Sequence, residues 1–93
     1  MKTVWKFDFG AISELNDYAR LWMPKFSEIL TVKSQKNKLC LWCLCDDEEQ
    51  EKEQRIFRIC GTGHPIKKHE LKYINTCLVY EENLVIHIFE VLK

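Results

Sequence analysis

The run Leu39-Cys40-Leu41-Trp42-Cys43-Leu44-Cys45 constrains the fold of this chain more than any other stretch. In an extended strand successive side chains point to opposite faces, so Leu39, Leu41, Cys43 and Cys45 share one face and Cys40, Trp42 and Leu44 the other. Apolar residues on both faces need cover on both, which makes residues 38–45 a central strand.

The rest of the chain supplies neighbours for it. Over residues 3–9, Trp5, Phe7 and Phe9 alternate with Lys6 and Asp8, the period of a half-buried strand, and Gly10 is expected to end it. Between Gly10 and Pro24 the pattern is mixed. Ile12, Leu15, Ala19 and Trp22 recur at helical spacing, whereas Pro24 stops a helix and residues 18–23 read equally well as extended. We expect a short helical segment near residues 11–18 and then a strand. Residues 27–33 and 38–45 flank the polar Ser34-Gln35-Lys36-Asn37 as a hairpin. Residues 54–60 turn Phe57 and Ile59 one way and Ile56, Arg58 and Cys60 the other, and residues 73–80 and 84–92 form a closing hairpin around Glu81-Glu82-Asn83. The expected fold class is mainly β: a single small antiparallel sandwich or partly open barrel of six to seven strands, one domain over residues 1–93. The last strand is apolar on both faces, so it is either central or covered by a partner subunit, which allows a homodimer.

Composition limits what such a domain can be. A chain of 93 residues buries roughly 60 to 65% of its unfolded surface, and an apolar fraction of 46% with three Trp, five Phe and three Tyr closes one core without metal or disulfide. Fourteen basic residues balance fourteen acidic ones, which argues against general nucleic-acid binding. Residues 1–10 alternate rather than form a leader, and no apolar run approaches the ~20 residues of a membrane span, so a cytoplasmic protein is expected. Cys40, Cys43, Cys45, Cys60 and Cys77 lie in apolar strand-like segments and read as reduced core thiols.

Few residues offer chemistry. Residues 46–53 carry six carboxylates and one lysine and read as a solvated loop; they lack the spacing of a calcium loop, and an acidic surface mimicking nucleic acid is the alternative. Cys40 and Cys43 form a CxxC, but alternation points their sulfurs apart, unlike a zinc knuckle or a redox motif. No catalytic triad order is present, and His87, alternating with Val85 and Phe89, reads as a satisfied core or interface histidine. Lys33, Lys36 and Lys38, and Lys67, Lys68 and Lys72, read as solvated surface. Gly61-Thr62-Gly63-His64-Pro65 is neither a P-loop nor a dinucleotide fingerprint. It reads as a tight turn, or as a contact loop in which Thr62 and backbone amides meet polar groups while His64, supported by Arg58 or Lys67, meets an anion. Neither an enzymatic activity nor a cofactor is expected.

In their order along the chain, Trp5-Lys6, Met23-Pro24, Glu28-Ile29-Leu30-Thr31-Val32, Leu41-Trp42, Arg58-Ile59, Gly61-Thr62-Gly63-His64-Pro65-Ile66, Lys72-Tyr73-Ile74 and Val85-Ile86-His87-Ile88-Phe89-Glu90 resemble a family of short uncharacterised proteins encoded largely by phages and prophages. This resemblance implies a setting, the host cell cytosol, and a small non-enzymatic accessory protein that binds and blocks a host component such as an antiviral defence protein, in the manner of an anti-CRISPR inhibitor. The contact residues then expected are Arg58, Gly61, Thr62, Gly63, His64, Pro65 and Trp42, with Trp5 and Trp22 as further aromatic anchors. Two alternatives stand beside it: a sponge for a small nucleotide signal held by the Gly61 to Pro65 loop, and a virion or assembly subunit.

Overall fold

A computed structural model describes residues 1–67, 70–79 and 84–92. Seven strands cross them: β1 (Lys2–Ala11), β2 (Tyr18–Pro24), β3 (Glu28–Gln35), β4 (Lys38–Asp46), β5 (Lys52–Gly61), β6 (Leu71–Val79) and β7 (Leu84–Val91). They form two antiparallel sheets, ordered β1-β4-β3 and β2-β5-β7-β6, with β1 over β2 and β3 over β6. The fold is thus the expected mainly β sandwich, open at its edges rather than closed into a barrel. The helical segment expected near residues 11–18 is one 3₁₀ turn, Ile12–Glu14, and β2 follows it.

The both-sided apolar run is β4, and it is central in its sheet. Leu39, Leu41, Cys43 and Cys45 face the core, where they meet Phe57, Ile59, Ile86 and Ile88 of the other sheet, with Val32 and Met23 filling the sides. Phe57 and Ile59 point inward, as the alternation in β5 requires. β7 lies between β5 and β6, so both of its hydrogen-bonding edges are paired within the chain. The turn that leads into it, residues 80–83, lies outside the described residues.

Gly10 does not end β1. It adopts φ +107°, donates its N–H to the Asp8 carboxylate at 2.6 Å, and sits where the register jumps from Asp8 opposite Cys40 to Gly10 opposite Leu39. The glycine is therefore a β-bulge that lets the strand continue to Ala11, since a side chain at this φ is strained. The β3–β4 hairpin closes on two residues, Lys36 and Asn37, both at positive φ (51° and 64°), the mirror-image turn whose twist matches that of the strands it joins.

Between the sheets, Asn75 acts as a substitute strand. Its carboxamide accepts the Val32 N–H at 2.9 Å and donates to the Val32 carbonyl at 2.7 Å, satisfying backbone groups on the outer edge of β3 from β6. The Cys77 thiol donates to the same carbonyl at 2.9 Å.

Candidate functional site

The Gly61-Thr62-Gly63-His64-Pro65 loop is closed mostly upon itself. Gly63 at φ +86° lets the His64 N–H reach the Gly61 carbonyl at 3.2 Å, and the Gly61 N–H in turn donates to His64 Nδ1 at 3.2 Å. The imidazole thus lies over Gly61, where an added Cβ would stand 2.9 Å from its Cε1. Because Nδ1 accepts a hydrogen bond, the neutral ring carries its proton on the other nitrogen. The Thr62 hydroxyl is bonded to His87 Nε2 at 2.8 Å, His87 Nδ1 to the Thr76 hydroxyl at 3.0 Å, and Thr76 to the Tyr73 hydroxyl at 2.7 Å. This chain of four polar groups fastens the loop onto β6 and β7. His87 is satisfied on both nitrogens, at a half-buried position on the outer face of the sheet.

Arg58 is 5% exposed, and its guanidinium bonds three carbonyls: Asp17 at 3.3 Å, Pro65 at 2.9 Å, and Ile59. The Asp17 carboxylate lies 3.7 Å away and the Tyr18 ring is centred 5.4 Å from the guanidinium. It draws together the segment before β2 and the loop after β5. Trp42 does not join this group. It stands half-buried on the outer face of the three-stranded sheet, opposite Lys6 and Thr31, on the far side of the sandwich. Of the nearby cations expected from sequence, Lys67 is exposed, and Lys68 and His69 lie outside the described residues.

A second polar site, absent from the sequence reading, lies at the opposite end, where β5 begins and β7 ends. Arg55 points into the sandwich and grips both oxygens of Glu90, through Nε to one and at 3.0 Å to the other; it also donates to the Ser27 carbonyl at 2.9 Å and to Glu53 at 3.3 Å. Glu90 is 6% exposed. The carboxylate partner holds the Arg55 guanidinium above its ordinary pKa, against the opposing effect of burial. A cavity of about 130 Å³ opens beside the pair, between Ile29 and Leu30 on β3 and Tyr73 on β6. The signal was parity: Glu53 and Arg55 share the inward parity of Phe57 and Ile59, and Glu90 that of Ile86 and Ile88, so both strands carry charge on the core face.

The outer face of the four-stranded sheet gathers aromatic and apolar side chains from all four strands. Across it run the rows Arg20, Ile56, Val91, Leu71 and Tyr18, Arg58, Phe89, Tyr73, with Trp22 opposite Gln54 at one corner. Trp22 is 62% exposed and Tyr73 56%, and the Tyr73 and Phe89 rings meet edge to face at 5.6 Å. Arg20 and Lys52 are its exposed cations, and no described carboxylate points outward from its strands.

All five thiols are free and buried. Cys40 occupies the outer face of β4 opposite Asp8 and Lys33, and Cys43 the core, so the CxxC sulfurs diverge. Burial, reinforced by Cys45, pushes the Cys43 thiol up to about 11, and burial also raises Cys77. A folded-state pKa above the ordinary 9.0 means that stability from the neutral thiol is whole below pH 9 and lost as pH rises towards 11. At pH 8 an aromatic disulfide reagent is expected to leave the native thiols untouched and to titrate five after denaturation; stoichiometric reaction of the folded protein would refute this.

Of the acidic segment, Asp46, Asp47, Glu48 and Glu51 are exposed, but the loop is shorter than expected, since Asp46 ends β4 and Lys52 and Glu53 already belong to β5, with Glu53 bonded to Arg55. Asp46, Asp47 and Glu48 approach the Met1 amino group at 3.0, 3.3 and 3.6 Å. Among the described residues no three His, Cys, Asp or Glu side chains are grouped to hold a metal ion, and no helix is long and apolar enough to cross a membrane.

No curated protein and no solved structure matches the chain. Residues 1–93 match, over their whole length, the profile of a family described as a domain of unknown function, DUF7352, and the chain belongs to that family.

Proposed function

We propose that this domain is a non-enzymatic binding module that docks a protein partner on the outer face of its four-stranded sheet and acts by occluding the surface it covers. The observation that carries this reading is the concentration of Trp22, Ile56, Phe89 and Tyr73 on one sheet face whose strands, among the described residues, direct the exposed cations Arg20 and Lys52 outward and no carboxylate, Asp17 at its margin being held against Arg58. Aromatic and arginine side chains on such a face are the usual anchors of an interface, and the charge favours a partner whose contact surface combines apolar residues with Asp or Glu. An interface of about 1,600 Å² is the size expected. The resemblance to phage-encoded proteins directs the search to a host protein of the cytosol, an antiviral defence component first.

The test is native mass spectrometry of the protein after exposure to host extract, run in parallel with Trp22→Ala and Tyr73→Ala. The expected result is a stoichiometric protein complex with the parent chain, lost in both variants while their melting temperatures stay within a few degrees. A complex that survives both substitutions overturns the assignment of this face. Retention of a small molecule that depends on Thr62 would favour the nucleotide sponge.

A further inference from the structure

We propose that two copies of this chain pair through β1, antiparallel and centred on Trp5, so that two three-stranded sheets become one continuous sheet of six strands. β1 is an edge strand, and every second residue along it directs its N–H and C=O away from β4, a template for a further strand. The other edges are obstructed. β3 is bulged between Ile29 and Thr31, and Asn75 holds the backbone groups of Val32. β6 is bulged between Tyr73 and Asn75, and β2 ends in Pro24, which has no N–H. β1 is regular against β4 from Lys2 to Asp8.

The occupant follows from the charges. Lys2, Val4, Lys6 and Asp8 project from the outer face of β1, and Thr3, Trp5 and Phe7 from the inner, as their partners on β4 show. A two-fold axis normal to the sheet keeps faces matched, so only residues of equal parity oppose each other. Centred on Val4, the pairing sets Lys2 against Lys6; centred on Lys6, it sets Lys6 against itself. Centred on Trp5, it sets Lys2 of each copy against Asp8 of the other, Val4 against Lys6, Thr3 against Phe7, and Trp5 against Trp5. That register places two opposite-charge pairs and no like-charge pair, and it stops short of the bulge at Gly10. Asp8 already lies 3.5 Å from Lys38 and accepts the Gly10 N–H, and a carboxylate has lone pairs left for a further cation. Trp5 gives an independent sign. It lies opposite the fully buried Cys43, on the core face, yet is 39% exposed because no strand flanks β1 on that side. A second β1 supplies that flank. The docking face of the four-stranded sheet stays free in this assembly, so the two proposals stand or fall separately.

Charge exchange tests it. Sedimentation equilibrium is expected to show a concentration-dependent dimer for the parent chain, and a dimer dissociation constant weakened at least about tenfold by either Lys2→Glu or Asp8→Lys, each of which turns both symmetric pairs repulsive. Mixing the two variants is expected to restore dimerisation as a heterodimer, because Glu then meets Lys at one pair and Asp meets Lys at the other. Circular dichroism melting of each variant separates loss of pairing from loss of fold. A parent chain that stays monomeric, or folded variants that dimerise like the parent, or a mixture that does not recover, overturns the proposal.

Discussion

Replacing Glu90 by Gln is expected to lower the free energy of unfolding by about 3–5 kcal/mol, a large share of the 5–15 kcal/mol available to a domain. The reason is what the substitution leaves behind. Arg55 would keep its charge and its place inside the sandwich, but would lose the negative charge that grips two of its donors, with only a neutral glutamine carbonyl, Glu53 and the Ser27 carbonyl remaining. Removing both charges together, as Arg55→Met with Glu90→Leu, is expected to recover most of the loss, because a buried pair stabilises little over apolar side chains of similar volume. Urea denaturation of the three variants measures this. Equal stability of Glu90→Gln and the parent chain would show that the pair is solvated and that the cavity between β3 and β6 admits water freely.

Arg58→Ala is expected to cost about 3 kcal/mol, since three carbonyls lose a charged donor at once and the segments before β2 and after β5 come apart. Arg58→Lys is expected to rescue little of it: one ammonium on a flexible stem does not span the Asp17, Ile59 and Pro65 carbonyls that a planar fork reaches together. Denaturation midpoints measure the stability, and the His64 and His87 ring signals in NMR report whether the loop still lies on the sheet. If Arg58→Ala folds as firmly as the parent chain, the guanidinium is not a clamp and is free to act as a contact for a ligand or partner.

These two arginines show where sequence reasoning reached and where it stopped. Both sit in β5, whose alternation was plain from Phe57 and Ile59, and the faces assigned to Phe57, Ile59 and Arg58 are those the fold uses. What Arg58 meets was not legible, because Asp17 and Pro65 lie on either side of it in space only after β2 has paired with β5. Arg55 and Glu90 are 35 positions apart, and nothing local marks them as a pair. Gly10 illustrates a different limit: a glycine between strand-like and helix-like residues is compatible with a terminus or a bulge, and the choice fell to the partner strand, whose Leu39 lies opposite Gly10.

The sequence by itself determined the elements: which stretches are extended, that β4 is central, where the β3–β4 hairpin turns, and that the thiols lie in apolar segments. Those properties follow from side-chain period and turn chemistry, which act over a few residues. Tertiary structure alone decided which strands are neighbours, that β7 lies inside its sheet while β1 is left at an edge, and that the Gly61-Thr62-Gly63-His64-Pro65 loop is fastened by Arg58 and His87. Strand order depends on pairings between residues tens of positions apart, and the alternation of one strand fits many neighbours equally well.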